Sequence, residues 1–106
     1  MNYASLLSAL RLLWADTYDR AAPAGKTRFA VLSRYGSEPL QGDDRNLMDF
    51  PRCQLDVYTQ SPDDPLPGEF CELLGGMCLP YQIMDEVWDD ELALYRVIIQ
   101  LEVFSR

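Results

Sequence analysis

Histidine is missing from this 106-residue chain, and lysine and arginine together number only 9 against 17 carboxylates. Without histidine no Ser-His or Cys-His pair can form, and zinc sites of the usual kinds are excluded. Cysteine is sparse: Cys53, Cys71 and Cys78 make no C-x-x-C pair and leave one thiol over in any bridging scheme. That pattern reads as reduced structural thiols, with Cys53 and Cys71 in the core. No G-x-S-x-G, Walker or Rossmann glycine pattern occurs, and "LLGGMC" reads as a helix terminus, not a phosphate cradle. The apolar run "YASLLSALRLLWA" is interrupted by Arg11 and has no basic stretch before it. It is read as neither a signal peptide nor a membrane span, so a cytoplasmic chain is expected.

What the chain does have is the makeup of one ordinary globular domain, residues 1–106, with 48% hydrophobic and 25% charged residues. At this length folding removes roughly two-thirds of the unfolded surface from water, enough for a single core. The net charge of -8 is unevenly spread: residues 1–37 carry +3 and residues 38–91 carry -12. So acidic a surface repels phosphate backbones, which argues against sequence-independent binding of nucleic acid. Two accounts of the acidity stay open, a carboxylate surface that keeps the protein soluble and one that lies beside DNA without holding it.

Tyr3, Leu6, Leu7, Leu10, Leu13 and Trp14 recur at helical spacing, with Asn2 placed to cap and an end expected near Asp16. "TRFAVLSRYG" (27–36) alternates, Phe29, Val31 and Tyr35 to one side, Arg28 and Arg34 to a wetted other side. The stretch 37–51 holds Pro39, Gly42, Pro51 and a cluster of acids, and its length suits a functional or mobile loop. "RCQLDVYTQ" (52–60) is a second strand with Cys53, Leu55, Val57 and Thr59 in one register. Asp64 then caps, and Pro65 opens, a short helix with a stripe of Phe70, Leu73, Leu74 and Met77, closed at or just beyond Gly75–Gly76. Residues 79–88 and 92–104 form a hairpin about the turn 89–91.

The order α-β-β-α-β-β predicts an α+β fold: a mainly antiparallel four-stranded sheet with two helices packed on one face. The all-apolar register of the last strand (Tyr95, Val97, Ile99, Leu101, Val103) is expected beneath those helices. Burial of each such side chain contributes about 1.5–3 kcal/mol before the entropy cost. Asp85, Glu86, Asp89, Asp90 and Glu91 lack the spacing and mid-loop glycine of an EF-hand and read as a solvated hairpin tip. No metal, no cofactor and no catalytic residue is assigned; the chain is not expected to be an enzyme.

Three segments together, "FAVLSRYGSEP", "FPRCQLDVYTQSPDD" and "DEVWDDELALYRVIIQLEVF", resemble the small tail-completion, or tail-terminator, proteins of long-tailed bacteriophages. The shared pattern is an N-terminal helix, a strand ending in a polar bend, an "R-x-Q-x-D-x-Y" strand, a helix and a closing hairpin. It runs over nearly the whole chain. The resemblance implies a structural subunit of a homo-oligomeric, hexameric ring at the head-proximal end of the tail tube. Such a ring caps the tube protein and docks on the head-tail connector while DNA passes through its lumen without specific binding. It implies a place in the virion, in the tail neck, after assembly in the host cytoplasm. A head-closure or adaptor ring of the same connector, and a small metabolite-binding regulatory module, are the alternatives.

The second register of the last strand mixes Leu94, Ile98 and Phe104 with Arg96, Gln100 and Glu102, too apolar for a wetted face and too polar for a core. A subunit or tube interface suits that composition; cover by the first helix or a loop of the same subunit is the other reading. The candidate interface residues are Arg96, Ile98, Gln100 and Phe104, with Leu40, Leu47 and Met48 from a loop (37–50) expected to order against a neighbour.

Overall fold

Asn2 starts the first helix as its position implies: its side chain accepts a hydrogen bond from the Ser5 N–H at 2.8 Å. That satisfies one of the donors a helix start leaves orphaned. In the computed structural model, which describes residues 2–35 and 52–103, this helix, α1, spans Tyr3–Leu13. It ends before the expected Asp16, because the backbone at Trp14 is extended and Thr17 Oγ1 donates to the Trp14 carbonyl at 2.6 Å.

The reversed chain forms β1 (Thr17–Asp19), followed by β2 (Phe29–Tyr35), β3 (Arg52–Thr59), α2 (Leu66–Gly76), β4 (Tyr81–Asp89) and β5 (Leu94–Glu102). The sheet is five-stranded and mixed, in the order β1-β2-β3-β5-β4, with β1 parallel to β2 and every other pair antiparallel. The fold is α+β with a mainly antiparallel sheet, but the expected four strands are five and the element order gains β1 after the first helix. Three residues carry no readable alternation. β1 is instead fixed by non-local bonds, from Ala30 N–H to the Asp16 carbonyl at 3.0 Å and from Arg20 N–H to the Leu32 carbonyl at 2.8 Å. Its outward carbonyls are taken as well: Thr17 accepts from Arg11 Nε and Asp19 from the Ala21 N–H, both at 2.9 Å. Two acceptors of this edge strand are thereby already engaged.

Both helices pack on one face of the sheet, where Leu6, Leu10, Leu66, Phe70 and Leu74 meet Leu32, Leu55, Val57, Ile99 and Leu101 in a single cluster. Cys53 and Cys71 are buried there, whereas Cys78 is exposed. The apolar register of β5 is deepest at its C-terminal half; Ile99, Leu101 and Val103 are buried, Tyr95 and Val97 only half-buried.

The facing of β2 reverses the expectation. Ala30 and Leu32, fully buried, point to the helices, so the register of Arg28 and Arg34 is the covered one. The two arginines bracket the core at its edge, Arg28 half-buried and Arg34 exposed. Arg28 Cζ lies 4.5 Å from the Trp14 ring centre and Arg34 Cζ 4.6 Å from that of Tyr3. Their aliphatic stems cover apolar surface while the cations rest on aromatic rings. Phe29 and Val31 face the other way.

Helix α2 is anchored at both ends by side chains distant in sequence or unusual in backbone. Asp64 Oδ1 accepts from the Leu66 N–H at 2.9 Å, and its carboxylate takes two hydrogen bonds from Arg28, at 2.9 and 2.8 Å. At the other end Leu79 N–H bonds the Leu74 carbonyl and Cys78 N–H the Gly75 carbonyl, both at 3.0 Å, with Cys78 left-handed at φ 57. This is a Schellman closure with cysteine where glycine is usual. No helix among the described residues is long and apolar enough to cross a membrane.

Candidate interaction surface

The face of the sheet away from the helices carries the mixed register of β5. Arg96, Ile98 and Gln100 lie side by side on it, half-buried, and the cross-strand register sets them opposite Tyr58, Asp56 and Gln54 of β3. The pattern residues of the "R-x-Q-x-D-x-Y" strand and the candidate residues of the last strand therefore form one surface. Phe104, Leu40, Leu47, Met48 and the loop 37–50 lie outside the described residues.

A connected group fills the centre of this face. Arg96 Nη2 donates to Asp56 Oδ2 at 2.8 Å, and Gln54 Nε2 donates to Asp56 Oδ1 at 2.9 Å. The Arg96 guanidinium lies over the Tyr58 ring, 5.7 Å from its centre, and Tyr58 stacks on Phe29 with ring centres 4.5 Å apart. Asp56 is only 8% exposed although no helix covers it. Burial alone favours neutral Arg96, but the hydrogen bond and charge of Asp56 outweigh it and hold the guanidinium above its ordinary pKa. Burial raises the Tyr58 phenol, and neighbouring Arg96 only partly offsets that. One polar atom stays unsatisfied: Arg96 Nε is buried and has no acceptor among the described residues. A near-buried ion pair of this kind fixes geometry more than it adds stability.

A second surface, which the sequence reading did not select, lies on β4, at the open edge of the sheet. Tyr81, Ile83, Met84 and Trp88 are exposed, as is Leu92 beyond the strand in the hairpin turn. The ladder slips between Ile83 and Asp85, leaving a bulge at Met84, and Trp88 meets Tyr95 edge-on with ring centres 5.0 Å apart. Asp85, Glu86, Asp89, Asp90 and Glu91 share this hairpin, where Asp85 accepts from the Glu86 N–H and Asp89 from the Leu92 N–H. The bulge and the acids are devices that keep an exposed edge from indiscriminate pairing. "IMDEVW" contained the signal, as apolar residues interleaved with acids on a strand that needs no core partner.

Among the described residues, no three cysteine or carboxylate side chains gather where a metal ion could sit. A shallow hollow at Arg52, Tyr81, Gln82, Gln100 and Glu102 encloses about 310 Å³ between the ends of β3, β4 and β5. The chain matches no family model and no curated protein sequence.

Proposed function

We propose that this protein is a structural subunit of a ring at the head-proximal end of a bacteriophage tail, acting through protein contacts and carrying out no bond chemistry. The observation that carries the reading is the sheet face away from the helices, which no helix among the described residues covers. Half-buried Ile98 and Gln100 flank a near-buried Asp56–Arg96 pair, and neither helix covers them. A face of that composition, apolar in patches and ordered by a charge pair, suits contact with another folded protein. The carboxylate-rich hairpin suits a position near DNA that must slide past, since like charges repel within a Debye length.

Native mass measurement of the purified protein, alone and with the tail-tube protein of the phage that encodes it, tests the reading. A closed oligomer, alone or seated on tubes, is the expected result. A chain that stays monomeric in both conditions and is missing from purified virions overturns it.

A further inference from the structure

β4 is a nine-residue strand, Tyr81–Asp89, without one buried side chain; Val87 and Asp89 are half-buried and the rest exposed. It contributes nothing to the core that β2, β3 and β5 share. Folding alone does not require such a strand, since strands are stabilised chiefly by what their side chains pack against. Nor is it built as a wetted strand: Tyr81, Ile83, Met84 and Trp88 lie on it, 42–49% exposed. It is also outermost, with β5 on one side only. Between Tyr81 and Trp88 no further backbone–backbone bond forms among the described residues, and only the Glu86 N–H is otherwise taken, by Asp85 Oδ1. The opposite edge differs, because β1 has acceptors already engaged.

We propose that β4 receives an extended segment of a different protein as an added strand, one in which apolar residues alternate with lysine or arginine. The ladder register sets that chemistry. Tyr81, Ile83 and Trp88 share the face of Leu101, Ile99 and Tyr95, where apolar side chains of the added strand cover them. Gln82, Asp85 and Asp89 share the other face, where its cations meet carboxylates. Residues 81–93 hold five carboxylates and no lysine or arginine. Asp85, Glu86, Asp90 and Glu91 enter no ion pair among the described residues. The same acids disfavour a second copy, because β4 centred antiparallel on β4 sets Asp85 opposite Asp85, beside Glu86. Main-chain bonds hold an added strand, and its alternate side chains give specificity. The contact needs no ring and stands apart from the reading above.

Synthetic peptides added to the full chain test this. The probe is end-blocked TKVKIKVT; TEVEIEVT reverses its charge, and TKVKPKVT keeps the charge but loses an N–H and the regular ladder. Peptide anisotropy reads affinity, and hydrogen exchange of the β4 amides reads location. TKVKIKVT is expected to bind roughly tenfold tighter than either control and to slow exchange within residues 81–89. Its binding should weaken severalfold from 0.01 M to 1 M salt, as the screening length falls from about 30 to about 3 Å. Glu86→Lys with Asp90→Lys, both exposed, should weaken it severalfold in a protein whose exchange without peptide matches the wild type. Equal binding of TKVKPKVT means charge attraction alone and overturns the proposal. So does binding that leaves β4 exchange unchanged, or no binding of TKVKIKVT. Protection of β4 that grows as the protein alone is concentrated makes the occupant a second copy, and overturns it too. None of these results bears on the native-mass test of the ring.

Discussion

Asp64 ties three elements together, and removing it should show how much of the fold depends on one carboxylate. It takes two hydrogen bonds from Arg28, which lies over Trp14 of the turn after α1, and one from the first turn of α2. The side chains are 15% (Asp64) and 37% (Arg28) exposed, so the pair is neither fully screened nor fully desolvated. Asp64→Asn keeps a capping oxygen and loses the charge, which should cost about 1 kcal/mol, near the top of the range for partly exposed pairs. Asp64→Ala loses the cap as well, worth roughly another 1 kcal/mol. For a domain of this size each kcal/mol lowers Tm by about 4–8 °C.

The pH dependence follows from the direction of the shift. The Arg28 hydrogen bonds hold the Asp64 carboxyl below its ordinary value, more strongly than its partial burial raises it. The native state therefore binds fewer protons here than the unfolded chain, whose carboxyl titrates near about 4. Its contribution is complete at neutral pH and fades as pH falls below about 4 through the lowered native value. Urea unfolding of the wild type and both variants, at pH 7 and in stronger acid, is the assay. The gap between wild type and Asp64→Asn should close in acid, while the cap deficit of Asp64→Ala persists in part. Variants within about 0.3 kcal/mol of the wild type at pH 7, inside ordinary additivity error, would refute the reasoning.

Glycine stands two residues early at the end of α2. Cys78→Gly should stabilise by about 1 kcal/mol, since Cys78 holds the left-handed angle, and Gly75→Ala should also stabilise, by up to about 1 kcal/mol, because a methyl there meets open space. Thermal melts check both signs. On the open face, Asp56→Leu alone should cost about 2 kcal/mol by leaving a half-buried guanidinium without its carboxylate. Asp56→Leu with Arg96→Met should recover at least half of that in urea titrations.

The elements that could be read from the sequence are those whose signal is local. α1 shows its stripe and its Asn2 cap, and the C-terminal hairpin shows a nine-residue strand that is apolar in one register. β1 could not be read, because its three residues are held by partners in α1 and β2. The facing of β2 misled for a related reason. Phe29 is buried, but on the face away from the helices, and Arg34 does stay exposed; what the alternation missed is that an arginine at a strand end can share the helix-side register and lie over Trp14 or Tyr3. Of the candidate surface, Arg96, Ile98 and Gln100 were legible as a mixed register. Their partner Asp56 lies 40 residues before Arg96 and became a neighbour only through the antiparallel register.

A sheet face that no described helix covers needs a reason not to adhere to every apolar surface it meets, and here the reason is built from the same residues that would bind. Half-buried Val31 and Ile98 would supply the attraction, but Tyr58, Arg96 and Asp56 lie among them in fixed positions, and Phe29, stacked on Tyr58, is itself buried. A neighbour that is merely apolar would finish desolvating the Asp56–Arg96 pair and give nothing back, a penalty of several kcal/mol per ion at full burial. A neighbour that places an oxygen against Arg96 Nε would satisfy the one buried side-chain donor left without an acceptor among the described residues. That difference, and not the total area covered, is what selects a partner. The overall charge of -8 acts in the same direction at longer range, since copies of like net charge repel. On the proposed reading, selectivity would come from the cost of the wrong contact, which is what an assembly component needs when it must wait for one surface among many.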